Sequence, residues 1–252
     1  PSIELKYRYP AVADDRELLY KLKKQEQICL EAADLIITPS AITKDYLQSR
    51  GIYSEKIRII PNGVDSDIFA YLHLQLSIPN FPFLIPFKML YFGTISAWQG
   101  VNLAVEALGL INRDFPAELT VIGLGRNQQF SALKKLAKKL QIENKLKFLE
   151  PLSQKELVKH IHQADVILAP LTANDRNLVQ GCCPLKVLES MATGTPVITS
   201  DLPVVREFGV NEEHFLLVKT GSAKAIKDGV LRLRNEPELA RKIAINAREQ
   251  IE

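Results

Sequence analysis

The sequence holds few of the residues that build covalent or metal-bound frameworks: three cysteines (Cys29, Cys182, Cys183) and four histidines (His73, His160, His162, His214) in 252 residues. The odd cysteine count and the lack of any CxxC spacing argue against a disulfide framework and a structural metal site, and suit reduced thiols in a cytoplasmic protein. His160 and His162 lie two apart in a helical stretch and so face different directions, while His73 and His214 fall in loops; no metal or nucleophile constellation forms. No apolar run approaches the roughly 20 residues that span a bilayer, and the start carries neither a charged-then-apolar leader nor an initiating Met. The sequence therefore reads as part of a longer chain. Excess charge of one sign is scarce too: 32 Lys and Arg against 29 Asp and Glu leave a formal net charge of +3, too small to imply a nucleic-acid partner. Internal repeats and low-complexity tracts are absent.

What is present is enough apolar material, 46% of residues, for one large or two modest cores. From Met89 onward, short runs of Val, Ile and Leu (KMLYF, ELTVI, KLKFL, DVILA, PVITS, FLLV) alternate with helical periods over Val101 to Leu110, Ser131 to Leu140, Ser153 to Gln163 and Pro184 to Thr193. Strands this continuous in apolar residues, each followed by a helix, predict an α/β domain with a doubly wound parallel sheet covered on both faces. Ser153 and Glu156 have capping-box spacing. Lys134, Lys135, Lys138 and Lys139 share a helix with Leu133, Leu136, Ala137 and Leu140 at i, i+3, i+4 and i+7, which makes them a solvated face opposite a core stripe; peripheral contact with anionic lipid is the alternative use.

The earlier part differs. Asp14 and Glu17 are placed to cap a long polar helix ending near Ala33, followed by a strand in ADLIIT, a helix over Ala41 to Arg50 and a strand in KIRII. Two strands and two helices make only part of a sheet. The stretch from Val64 to Pro86, with Pro79, Pro82 and Pro86, shows little periodicity. The expected division is a first unit over residues 1–70, a linker over 71–86 and a second domain over 87–252.

Pro184 to Asp201, PLKVLESMATGTPVITSD, concentrates the functional signal. Leu185, Leu188 and Ala192 define an apolar helical face, Gly194 is placed as the C-terminal cap, Pro196 stops the helix, and a single carboxylate, Glu189, sits beside the stripe near the sheet. Spacing alone leaves two readings: an ordinary amphipathic helix with a solvated or paired Glu, or a carboxylate that serves a nucleotide pocket.

Other segments bear on that choice. ADLIITPSAITKDYL and KIRIIPNGVDSDIF, then YFGTISAWQGVNLAVEAL, TVIGLG, FLEPLSQKELVKHIHQADVILAP and PLKVLESMATGTPVITSD, occur in an order that resembles the retaining glycosyltransferases of family 4, of GT-B architecture, over nearly the whole chain. The resemblance implies two Rossmann-like domains facing a cleft, of which this chain holds the second and the end of the first. It implies a nucleoside-diphosphate sugar as donor substrate with no separate cofactor or metal, and a saccharide or lipid-linked hydroxyl acceptor. It also implies assembly of polysaccharide or glycolipid in the cytoplasm, at the inner face of the membrane where lipid is involved.

By the same resemblance, Glu189 accepts hydrogen bonds from the donor ribose, a task suited to an ionised carboxylate whose oxygens only accept. The amides of Leu185 and Lys186 at the helix start meet the diphosphate or sugar. The loop from Gly93 to Gly100, including Thr94 and Gln99, approaches the phosphates from the other side, Pro170 and Leu171 border the cleft, and the backbone from Glu150 to Leu152 meets the base. No protein nucleophile is implied and no catalytic residue is assigned.

The departures from the family pattern are as informative. Gly181 stands where many relatives carry a first Glu that contacts the transferred sugar, and Thr94 and Gln99 stand where many carry an Arg and a Lys. Lys186 and Arg206 are the substitutes on the matched segments; Arg206 is equally readable as an exposed residue paired with Glu207. Trp98 suits stacking on a sugar or a buried anchoring role. Gly123-Leu124-Gly125 resembles a dinucleotide loop, but Gln128 occupies its third glycine position and no acid follows convincingly, which argues against NAD. Since the acceptor half of the cleft and any catalytic His in it precede the first residue, and much of the usual returning helix is missing from the end, a catalytically weak donor-binding or regulatory module is the alternative function. A nucleotide-sugar epimerase would need acid/base carboxylates and a His at the cleft that the sequence does not place.

Overall fold

Runs such as Val166–Ala169 and Val197–Ser200, every residue of which is buried, can be satisfied only inside a sheet covered on both faces. The computed structural model, which describes residues 15–70 and 86–251, places them there. Six parallel strands, β3 (Phe87–Phe92), β4 (Ala117–Ile122), β5 (Leu146–Leu149), β6 (Val166–Ala169), β7 (Val197–Ser200) and β8 (Leu216–Val218), lie in the order β5-β4-β3-β6-β7-β8. The chain winds outward from β3 in one direction and then, from β6, in the other. Register is fixed by six paired residues between β3 and β4, Phe87 against Ala117 through Phe92 against Ile122. The β3/β6 junction, paired at Met89 with Val166 and Leu90 with Ile167, is the point where strand order reverses.

Helices α3 (Val101–Ile111), α4 (Asn127–Leu140) and α8 (Ala223–Asn235) cover one face, contributing Leu108, Leu133 and Val230 to a core with Met89, Leu119 and Leu168. Helices α5 (Gln154–His162), α6 (Leu185–Thr193) and α9 (Pro237–Ile251) supply Ile161, Met191 and Ala247 to the other face, with Leu90, Ile167 and Val197. Arg248 of α9 donates to the carbonyl of Ala192 near the end of α6 (3.1 Å). A short helix, α7 (Pro203–Arg206), lies between β7 and β8. Phe69, at the end of the first described segment, is also buried in this second core.

The first unit consists of α1 (Arg16–Ala32), β1 (Ile36–Thr38), α2 (Ala41–Ser49) and β2 (Ile57–Ile59), with β1 and β2 parallel. Its core is small, built around Leu47, Ile52 and Ile57.

Several local expectations are corrected. Asp15, not Asp14 or Glu17, caps α1, its Oδ1 accepting from the Leu18 amide at 2.9 Å; Asp14 and most of the linker, with Pro79, Pro82 and His73, lie outside the described residues. Helix α4 starts at Asn127, before Ser131, because Gln129 Oε1 accepts from the Arg126 amide and closes a polar first turn. Ser153 does not complete a capping box: its hydroxyl donates to the Glu156 carboxylate at 3.2 Å instead of accepting from a backbone amide. Gly194 ends α6 in the left-handed conformation expected of it.

Candidate functional site

At the carboxyl ends of β3, β4 and β6 the diverging loops leave a cavity of about 460 Å³, lined among others by Gly93, Thr94, Gln99, Leu185, Lys186 and Glu189. Leu171, Pro151 and Leu152 also border it, whereas Glu150 lines a neighbouring, lysine-edged pocket together with Lys134, Lys135 and Lys138. Helix α6 forms one wall. Both of its charged residues near the N-terminus face the cavity, so the positive end of the helix dipole and an ammonium converge on the same space.

Lys186 is the centre of the wall. Its side chain is buried, its Nζ donates to Gln99 Oε1 at 2.6 Å, and it lies 4.0 Å from the centroid of the buried Tyr91 ring. Burial lowers its pKa from the ordinary 10.5 to about 7; the Glu189 charge opposes this shift and the Arg176 charge adds to it. Half-buried Glu189 is pushed upward by burial, with Lys186 acting against the shift. Its carboxylate makes no hydrogen bond to any described residue and so keeps its acceptor capacity for whatever enters the cavity.

Opposite α6 runs the loop after β3. Thr94 is exposed at the cavity, and its carbonyl accepts from the Tyr91 hydroxyl at 2.7 Å. Gly100 does not line the cavity. It has φ 65° and is packed so closely on the next loop that a Cβ there would lie 1.8 Å from the Pro170 carbonyl oxygen. Its contribution is to let the loops after β3 and β6 touch through their backbones. Trp98 is buried, which selects the anchoring role: its carbonyl accepts from Thr172 N and Asn177 Nδ2.

Residues 82–250, well over half of the chain, match the family model described as Glycosyl transferases group 1. The chain belongs to that family. Residues 5–68 match a further model, Glycosyltransferase Family 4. Among curated relatives, the amylovoran biosynthesis glycosyltransferase AmsK of Erwinia amylovora is 25% identical over 239 residues, covering 94% of this chain and 56% of that protein. A glycogen synthase of Mycobacterium tuberculosis is 26% identical over 228 residues, covering 90% and 51%. The chain thus spans about half the length of these relatives. Among solved structures, Anabaena Alr3699/HepE in complex with UDP and glucose superposes with a TM-score of 0.78 at 18% identity, over 92% of this chain and 62% of that one. A glycosyltransferase from Rickettsia africae ESF-5 gives 0.75 at 20%, with the same coverage. These likenesses assign the fold to the GT-B type.

In this group 1 glycosyltransferase chain, two departures from the sequence expectations concern position. Leu185 is exposed at the cavity and is not part of the buried face of α6, which consists of Val187, Leu188, Met191 and Ala192 together with the polar Lys186, Ser190 and Thr193. Arg206 lies away from the cavity on the exposed surface, and it pairs bidentately with Asp201 (2.6 and 2.8 Å), not with Glu207. Glu207 instead caps α2 of the first unit, accepting from the amides of Ala41 (3.0 Å) and Ile42 (3.2 Å).

Gly181 also has a physical reason. At φ 80° it sits against α2, where a Cβ would be 2.5 Å from Thr43 Oγ1 and 2.8 Å from Ser40 Oγ. The N-terminus of α2 fills the space a side chain would need, so no carboxylate can project from this position. One residue that sequence reasoning missed does line the cavity: Arg176, at the start of a π-helical turn (Arg176–Gln180) after β6. A turn of this kind has no hydrophobic period to reveal it. The only advance signal is a polar run, Asn174 to Asn177, just past the end of a strand at the reversal point.

Proposed function

We propose that this chain is the donor-binding part of a glycosyltransferase that moves a sugar from a nucleoside diphosphate to a hydroxyl acceptor with retention of configuration. The observation that carries the reading is the convergence, in one cavity at the strand reversal, of the α6 N-terminus, a buried lysine and a carboxylate with free acceptor capacity. A diphosphate against the amides of Leu185 and Lys186 would place negative charge at the helix start, and Glu189 would take the ribose hydroxyls. Charge on the leaving diphosphate is met by the helix dipole and Lys186. Gly93, Thr94 and Gln99 form the opposite wall, with Gly100 fixing the loop from behind. The HepE complex named above, with UDP and glucose, supports a uridine donor. Relatives named for amylovoran and glycogen support a saccharide acceptor.

A second reading, a catalytically weak donor-binding module, is favoured by the neutral Thr94 and Gln99 and by the filled space at Gly181. A cytoplasmic setting and contact of the Lys134, Lys135 and Lys138 face with anionic lipid belong to the proposal; cosedimentation with anionic but not neutral liposomes would carry the lipid part.

Thermal unfolding with UDP, GDP and ADP, free and as sugar conjugates, tests donor binding. At 100 times the dissociation constant a ligand adds about 2.7 kcal/mol to native stability. A base-selective shift that Glu189→Ala removes is the expected result. No shift with any nucleotide in the folded protein would end the reading. Sugar transfer to an acceptor by the full-length protein distinguishes the enzyme from the module.

A further inference from the structure

The glycine loop at the cavity is neutral at Thr94 and Gln99, yet a second cation besides Lys186 lines the cavity, Arg176. Its guanidinium lies 5.7 Å from the centroid of Trp98 and donates through Nη1 to Asn177 Oδ1 at 3.1 Å. No described carboxylate lies within 4 Å ion-pair distance of either cation, although the Glu189 charge in the same cavity acts on Lys186 more strongly than Arg176 does. The two cations are near enough for the Arg176 charge to bear on Lys186 across the cavity. Two cations and one carboxylate, Glu189, face this space, and the surplus of positive charge beside a buried ammonium favours an anion with more than one charge.

The turn that carries Arg176 is held from several sides. Fully buried Asn177 donates to the carbonyls of Trp98 (3.2 Å) and Thr172 (2.8 Å) and accepts from the Cys182 thiol, tying the loop after β3, the end of β6 and the approach to α6 together. At the far end of the turn, Gly181 seats against Ser40 and Thr43 of α2. A side chain on so fixed a base loses little freedom when it engages a ligand.

We propose that Arg176 is the second diphosphate-binding cation of this site, supplied from the π-helical turn in place of the loop positions held by Thr94 and Gln99. It meets the phosphate oxygens together with Lys186, and the planar fork of its guanidinium matches two oxygens at once. Because its turn is seated on the first unit, the aim of this cation depends on the docking of α2. The proposal rests on the donor-site reading above, and its test separates the two.

The test is calorimetric binding of UDP, UMP and uridine to the full-length protein and to Arg176→Gln and Arg176→Lys, with GDP, GMP and guanosine, then ADP, AMP and adenosine, used in turn if the uridine series does not bind. A charge-assisted hydrogen bond contributes about 1.5–3 kcal/mol, so Arg176→Gln should weaken the diphosphate roughly tenfold or more, the monophosphate less and the nucleoside by under about twofold. Arg176→Lys, which keeps charge but not the fork, should fall between. Diphosphate affinity in Arg176→Gln within twofold of the parent, or an equal loss for nucleoside and diphosphate, would overturn the assignment of Arg176 and leave the donor site standing. Failure of the parent protein to bind any of the three diphosphates would overturn both.

Discussion

The two units differ in how their apolar residues are used. In the second, the strands are sealed on both faces and Leu108, Leu119, Ile167 and Val197 are fully buried. In the first, α1 buries no residue at all, and Leu35, Ile37, Ile59 and Ile60 on or beside β1 and β2 are 41–61% exposed. The sequences of the strands are alike, yet only one set is covered. An apolar strand therefore predicts a sheet, but not the layers that complete it. In this chain the site belongs to the sealed unit, while the open unit contributes one helix, α2, pressed against the turn that carries Arg176.

Substitutions can break or sharpen that contrast. The largest loss is expected in the sealed unit at Gly100→Ala, where the new Cβ would meet the Pro170 carbonyl and the backbone is already left-handed. About 3–5 kcal/mol of stability should be lost by denaturant unfolding, with the cavity deformed. Leu108→Ala, in the core below the same sheet, should cost about 2–4 kcal/mol, against about 2 kcal/mol or less for Leu47→Ala in the smaller core of the open unit. Equal costs at the two leucines would mean that the first unit is better packed than its exposure suggests.

An intermediate effect, and one of opposite sign, is expected at Lys186. Its pKa is about 7 in the folded chain and 10.5 ordinarily, so between these values the unfolded chain holds more protons and native stability rises with pH. Below about pH 7 the amine is charged in both states and the desolvation cost is fully present. Lys186→Met should raise the melting temperature at pH 7 and flatten its rise toward pH 10, while weakening phosphate affinity. A bound diphosphate favours the charged amine, so binding at pH 7–8 should take up a proton, seen as a calorimetric enthalpy that varies with the ionisation enthalpy of the buffer. The smallest effect is expected at Ile37→Ser, within about 0.5 kcal/mol in this chain. A larger cost in a longer form of the protein would show that other residues cover this face.

The strands of the second domain were legible because nearly unbroken runs of Val, Ile and Leu between helical periods admit few other arrangements. The cavity wall on α6 was legible through the ordered resemblance of the whole chain, which singled out Lys186 and Glu189; spacing alone left Glu189 open between a solvated and a pocket role. Leu185 was misjudged because it shares the periodicity of Leu188 and Ala192, but the first turn of α6 projects past the core into the cavity. Arg206 is the exposed, carboxylate-paired residue that one of its two readings allowed, but its partner was missed, since bidentate geometry with Asp201, five residues away, cannot be read from adjacency to Glu207. Arg176 escaped notice altogether, as a π-helical turn leaves no repeat in the sequence, and the meaning of Gly181 depended on a helix some 140 positions earlier, Ser40 to Thr43, which only the fold brings to it.

The contact between Gly100 and the Pro170 carbonyl fixes the spacing of the loops after β3 and β6 through main chain, behind the side chains that line the cavity. The side chain of Thr94 is exposed at the cavity, and the hydrogen bond that holds this residue is made by its carbonyl, which accepts from Tyr91. A loop held from behind by main chain leaves its exposed positions free to differ in charge while its path stays the same; Thr94→Arg therefore tests whether a cation on this loop adds to diphosphate affinity, read by the same calorimetry.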